Sequence, residues 1–268
     1  MRVQDLGQIE GPVLVFGGPY SNLQATQAVL AEAQARGAYA ICTGDVVAYC
    51  ARPAETVAAI RAAGCPVVAG NCEKQLAAGA PDCGCGFDEG TACDLLSMGW
   101  YGFADTRVGQ ADRAWMAGLP DVLTFTHAGA RYGVIHGGVT DVARFLWSSS
   151  PADALEAEWD ALEAVAGPVD RVLAGHSGIA FERELSKGRW INAGVVGMPP
   201  HNGTSQTEFA TVSDGDVALH GLNYDVQAAV NDMESAGLIH GYHITLRSGY
   251  WPSEDVLPPD LRLSLASG

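Results

Sequence analysis

Residues 41–50 read Ile41-Cys42-Thr43-Gly44-Asp45-Val46-Val47-Ala48-Tyr49-Cys50, and the place of Asp45 in this stretch decides the fold. Residues 38–42 form the end of a buried strand that opens into a loop through Gly44. A carboxylate where a parallel strand runs out is held by the sheet behind it and faces solvent in front, which is where α/β folds build their sites. Taken alone, Asp45 reads more simply as a cap for the loop or for the helix entering near Pro53. Its company changes that. Three more apolar stretches end in Asn71 (Val67-Val68-Ala69-Gly70-Asn71), His136 (Tyr132-Gly133-Val134-Ile135-His136) and His176 (Val172-Leu173-Ala174-Gly175-His176), each followed by a polar or Gly-rich turn.

Outward from that stretch, strand and helix alternate, which places the chain in the α/β class. Residues 11–16 read as the first strand, followed by the turn Gly17-Gly18-Pro19-Tyr20-Ser21-Asn22 and a helix carrying Leu23, Ala25, Ala28, Val29 and Leu30. Pro53 introduces a helix over 54–63 that Gly64 closes. Residues 75–120 break the alternation with an Ala/Gly-rich run, Cys83-Gly84-Cys85, and a helical section holding Trp100 and Trp115. An insertion of this kind after a site loop commonly makes a lid or a pocket wall, with the two tryptophans expected in the core. Strands at 122–126 and 131–135 make a hairpin leading to His136, and an acidic helix over 151–165 precedes the strand to Gly175. Strands at 180–185, 190–192, 208–212 and 217–222 follow, then a helix over 226–236. No linker-like segment interrupts this series, so one domain over 1–268 is expected, with the insertion at about 75–120 and a C-terminal extension at about 237–268.

With 268 residues, 48% hydrophobic, the chain is long enough to bury a large core. Its 15 Lys and Arg against 31 Asp and Glu leave a net charge of −16, which disfavours nucleic acid and anionic membranes but not a small phosphate in a neutralised pocket. No run approaches the ~18 apolar residues of a membrane span, and the opening MRVQDLGQIEG lacks a signal-like apolar core, so a cytoplasmic location is expected. The expected partner is a small phosphorylated molecule, and assembly into a homo-oligomer is left open. An odd set of seven cysteines, all between residues 42 and 93, argues for thiols or metal ligands over a disulfide framework.

Asp45, Asn71, His136 and His176 together offer two oxygens and two imidazole nitrogens, a set suited to Mn, Fe or Zn rather than Ca. The motif order GDVVAY, GNCE, IHGG and AGHS, each at a strand end, resembles the calcineurin-like metallophosphoesterases, closest to the compact bacterial phosphodiesterase branch. The likeness covers roughly residues 12–230 and includes Asn192-Ala193-Gly194-Val195-Val196-Gly197. It implies a four-layer αββα sandwich of two mixed β-sheets flanked by helices, and hydrolysis of a small phosphate mono- or diester with one or two divalent ions (Mn, Fe or Zn). It puts Asp45 at the bridging position and Asn71, His136 and His176 on the second metal, with Asp45, His136 and Cys72 at catalytic positions. At the first metal the likeness breaks: Gly18 and Tyr20 stand where the family has Asp and His, and His176-Ser177-Gly178 lacks the final histidine. Cys72 stands where the family has the histidine that stabilises charge on the phosphate.

Two readings follow. In one, a single ion remains, and the N–H groups of Gly17, Gly18 and Tyr20 with Arg144 hold the phosphate, Arg52 being a further cation near Asp45. In the other, Cys72, Cys83, Cys85, Cys50 and the Tyr20 phenolate rebuild the lost ligands, which would favour zinc or iron and a catalytically silent protein that senses a phosphorylated or redox-active ligand. Cys42, Cys65 and Cys93 read as buried fillers.

Overall fold

A computed structural model describes residues 1–263; the last five residues of the expected C-terminal extension lie outside the described part. Among the described residues, ten strands make two sheets. The smaller holds β2 (Val13–Phe16), β3 (Tyr39–Cys42), β9 (Thr207–Ser213) and β10 (Asp216–Leu222) in the order β10-β9-β2-β3. The larger holds β1 (Val3–Gln8), β4 (Val122–His127), β5 (Ala130–Val134), β6 (Arg171–Ala174), β7 (Phe181–Glu184) and β8 (Arg189–Asn192) in the order β1-β4-β5-β6-β8-β7. Both are mixed: β2 runs parallel to β3 and antiparallel to β9, and β6 runs parallel to β5 and β8.

The four-layer sandwich follows from alternation along these strands. Successive side chains point to opposite faces, so Val13 and Val15 of β2 enter a core shared with Leu123, Phe125, Val134 and Leu173 of the other sheet. Leu14 and Phe16 point the other way, onto α1 (Leu23–Ala35) and α2 (Pro53–Ala62). Outside the larger sheet, Val172 and Trp190 pack against Leu155, Trp159 and Leu162 of α6 (Ala152–Ala166). Trp159 and Trp190 are fully buried, and cutting such a ring to alanine typically costs about 3–5 kcal/mol. Three further helices, α3 (Asn71–Ala78), α4 (Ala92–Asp105) and α5 (Gln110–Gly118), occupy most of the segment from residue 71 to 120, and α7 (Val226–Ser235) and α8 (Tyr242–Ser248) follow the last strand.

Several local expectations are revised. The strand expected before Asn71 is a single bridge, Cys42 to Val67: Val68 N–H donates to the Cys42 carbonyl, but the next N–H, that of Ala69, turns to Pro120. Asn71 opens a helix where a turn was expected, because Glu73 accepts the N–H of Gly70 just before the helix and Asp45 Oδ1 accepts that of Cys72 in its first turn. β1 was not expected, since its sequence VQDLGQ is an exposed edge with no apolar alternation; it forms by parallel pairing with β4. Trp100 is buried as expected, whereas Trp115 is half-buried under Arg61. Cys65 is likewise only half-buried. Among the described residues no helix is long and apolar enough to cross a membrane.

Candidate metal centre

β3, β5 and β6 all run out on one side of the sandwich, and the loops beyond their last residues carry Asp45, His136 and His176 to one point. Asp45 and His176 both sit at positive φ (54° and 62°). For a residue with a Cβ this is a strained conformation, and such strain concentrates where a side chain must be aimed. Asp45 Oδ2 lies 3.3 Å from His136 Nε2 and 3.9 Å from His176 Nδ1. His136 Nε2 lies 3.0 Å from His176 Nδ1 and 3.1 Å from Asn71 Oδ1. All four residues are buried.

The surrounding hydrogen bonds decide what these atoms present to one another. His136 Nδ1–H donates to the Thr43 carbonyl at 2.6 Å, leaving Nε2 with its lone pair toward the cluster. The Asn71 amide nitrogen donates to the Cys83 carbonyl at 2.9 Å, so its oxygen faces His136. Asp45 Oδ1 accepts the Cys72 N–H from the start of α3 at 3.2 Å, leaving Oδ2 for the cluster. An oxygen of Asp45, an oxygen of Asn71 and two imidazole nitrogens therefore converge, a donor set able to hold a divalent cation. Ligands about 2.1 Å from a divalent ion stand roughly 3 to 3.5 Å from each other, which matches most of these separations. Among the described residues, Asp45, His136 and His176 are the one group of three His, Cys, Asp or Glu side chains close enough to hold an ion.

Without an ion, Asp45 and the two imidazoles set one another's charge. Burial works against a charged Asp45, but His136 and then His176 outweigh it and hold the carboxyl well below the usual range. Burial likewise opposes a charge on His136, and Asp45, the Thr43 carbonyl and Glu73 overcome it and raise its pKa. For His176 burial dominates and its pKa falls, so its imidazole is neutral and available as a ligand.

A model of the calcineurin-like phosphoesterase superfamily domain matches residues 17–215. The chain belongs to the calcineurin-like phosphoesterase superfamily. These are divalent-metal-dependent hydrolases of phosphate esters, and the resemblance carried by the four strand-end motifs holds. No curated protein sequence matches. Among solved structures, the chain is similar to a metallophosphoesterase from Sphaerobacter thermophilus (18% identity, 89% of this chain and 99% of the other, TM-score 0.69). It is also similar to a hypothetical protein from Pyrococcus horikoshii OT3 (17% identity, 89% and 98%, TM-score 0.71). At these identities the likeness speaks for the fold.

In this phosphoesterase the other expected site residues fall elsewhere. The N–H groups of Gly17, Gly18 and Tyr20 are already bonded to the carbonyls of Gly194, Gly44 and Asp45, so they form no phosphate cradle. Arg144 is spent on the buried carboxylate of Glu158 at 2.6 Å, and Arg52 on Asp232 and Glu55. Cys83 and Cys85 are bonded to each other, a correction to the expectation of free thiols; the pair backs Asn71, whose amide nitrogen lies 3.3 Å from Cys85 Sγ. Burial, then the carboxylates of Asp45 and Glu73, push the Cys72 thiol well above its ordinary range, and burial does the same to Cys50. Neither sulfur belongs to the group of side chains close enough to hold an ion. Burial, followed by Asp45, also keeps the Tyr20 phenol protonated.

Two features escaped the sequence. Glu73 has no exposed surface, and its carboxylate accepts the N–H groups of Asp45, Val46 and Gly70 at 2.8, 2.8 and 2.9 Å, pinning the Asp45 loop to α3. A Glu three residues into a helix opened by Gly-Asn was the available signal. Burial and the Asp45 charge push its pKa up to about 7 against the pull of those donors. The second is Phe145, whose ring lies 4.3 Å from that of His176; nothing in the sequence marks it.

Proposed function

We propose that the chain hydrolyses a small phosphodiester at a single divalent ion held by Asp45 Oδ2, Asn71 Oδ1, His136 Nε2 and His176 Nδ1. The observation that carries this is the convergence of four lone-pair donors whose other polar atoms are mostly committed to backbone partners. When bound, such an ion polarises a phosphoryl oxygen and makes nearby water a better nucleophile at neutral pH. Mn, Fe and Zn all suit two oxygens and two imidazoles.

The chain's own contribution is orientation and exclusion of water. The Thr43 carbonyl fixes His136 in the tautomer with Nε2 free, the Cys72 N–H steadies Asp45 as a carboxylate, and Glu73 holds the loop that presents it. One ion rather than two is supported by what stands opposite. A side chain at Gly18 would begin 2.6 Å from Cζ of Tyr20, so the Tyr20 ring fills that space, and Gly178 faces Trp251 in the same way at 3.2 Å. These are the two glycines at which the family likeness calls for metal ligands.

The test is reconstitution of metal-free protein with Mn, Fe or Zn, followed by assay on bis-p-nitrophenyl phosphate. One ion per chain and turnover abolished by Asp45→Asn are expected. No turnover with any of the three metals would sink the proposal.

A further inference from the structure

His176 belongs to the donor cluster on one edge and to a cavity on the other. The cavity wall is largely aromatic, with Tyr20, Tyr49, Phe87, Phe145, Tyr242 and Trp251, and among the described residues no Lys, Arg, Asp or Glu lines it. The rings brace one another, with Tyr49 4.7 Å from Tyr20 and 4.5 Å from Tyr242. Trp251 is anchored, its indole N–H donating to the Pro199 carbonyl at 2.7 Å and its backbone N–H to His201 Nδ1 at 2.8 Å. His176 Nε2 is buried and, among the described residues, has no hydrogen-bond partner, which leaves it free for a ligand oxygen in a wall whose other polar groups are neutral hydroxyls of tyrosine and serine and the Cys93 thiol.

Two magnitudes select the occupant. The accessible volume is about 50 Å³, well below the roughly 150 Å³ of a dry cavity that holds benzene; a nucleoside has no room, while a methyl or ethyl group does. The missing cations select charge. Desolvating a second negative charge costs several kcal/mol unless it is paired, and here nothing pairs it beyond the ion at the donor cluster. A singly charged diester meets both limits and a dianionic monoester fails the second.

We infer that this aromatic cavity beside His176 is the subsite for a short uncharged alkyl group, so that the substrate is a small alkyl phosphodiester rather than a nucleotide or a phosphate monoester. The inference rests on the phosphodiesterase reading above and names the substrate class of that site.

Calorimetric titration of the metal-loaded protein with diethyl phosphate, inorganic phosphate, thymidine 5′-monophosphate and phosphocholine tests it without requiring turnover. Diethyl phosphate is expected to bind at least tenfold tighter than each of the others. Trp251→Ala, by enlarging the cavity, should shift the preference at least tenfold toward dibutyl phosphate over diethyl phosphate. Ser253→Trp, at a half-buried position on the lining, should weaken diethyl phosphate at least tenfold and spare inorganic phosphate, which also shows that the variant is folded. Equal or weaker binding of diethyl phosphate in the parent protein overturns the inference, as does a Trp251→Ala variant that treats both diesters alike. Tighter binding of phosphocholine would assign the rings to a quaternary ammonium and overturn it too. Binding without hydrolysis of any ester would defeat the phosphodiesterase reading alone, and hydrolysis with no alkyl preference would defeat this one alone.

Discussion

Glu73 positions Asp45 through the backbone: its Oε2 accepts the Asp45 N–H and its Oε1 the Val46 N–H, both at 2.8 Å, while Asp45 Oδ1 in turn accepts the N–H of Cys72 from the helix that Glu73 caps. The loop after β3 and the start of α3 are thereby closed on each other. Glu73→Ala leaves three buried N–H groups without acceptors, at about 1–3 kcal/mol each. A loss of about 3 kcal/mol or more in denaturant unfolding is expected, together with reduced metal content. Glu73→Gln keeps one acceptor oxygen and should lose roughly half as much. Parent-like stability in Glu73→Ala would show that the loop does not depend on this carboxylate.

Metal removal should register in stability, because an ion bound only by the folded chain stabilises it by mass action. At a free ion concentration about a hundred times Kd the effect is about 2.7 kcal/mol, or roughly 5–10 °C in Tm for a chain of this size. Chelation of the parent should produce that fall. In Asp45→Asn and His176→Ala, bound metal should drop and chelation should move Tm little. Unchanged metal content in both variants would place the ion elsewhere.

The cysteines separate the two readings of the rebuilt site. Five are free and Cys83 is bonded to Cys85. Titration with a thiol reagent in denaturant should count five thiols without reductant and seven after reduction. Since the Cys72 sulfur stands outside the donor group, Cys72→Ser should leave metal stoichiometry unchanged. A proportionate loss of metal in Cys72→Ser would restore the thiolate reading.

Arg144 serves the fold. Burial opposes ionisation of Glu158, yet hydrogen bonds from Thr140, Arg144 and the Val139 N–H outweigh it and hold its pKa below the ordinary carboxylate value. A depressed pKa contributes stability that is present above the unfolded value of about 4.3 and is lost as pH falls through the folded value. Arg144 is itself more than a third exposed, so solvent screening limits its share. Arg144→Ala should cost about 1 kcal/mol at neutral pH, with the difference from the parent shrinking as the pH falls through the depressed folded value of Glu158. KM for a phosphodiester should change less than twofold; a larger rise would return Arg144 to the substrate.

The residues by themselves gave the α/β class and a candidate donor set, while the four layers came only through the family resemblance. Buried parallel strands are continuous apolar runs that end abruptly in polar turns, so the stretches ending near Asp45, Asn71, His136 and His176 could be read without knowing their partners. What only the tertiary structure decided is how the remaining groups are spent. The N–H groups at Gly17, Gly18 and Tyr20 looked free because their acceptors lie on the Gly44–Asp45 loop and at Gly194. Arg144 looked free because Glu158 is on a helix fourteen residues away. Trp251 comes from a tail with no periodic signal, yet it stands against Gly178 and closes the cavity. β1 needed β4 to become a strand at all, since an exposed edge carries no alternation to read. Hydrogen-bond partners and cavity walls are contacts between segments far apart in the chain, and local composition and periodicity carry no record of which of them meet.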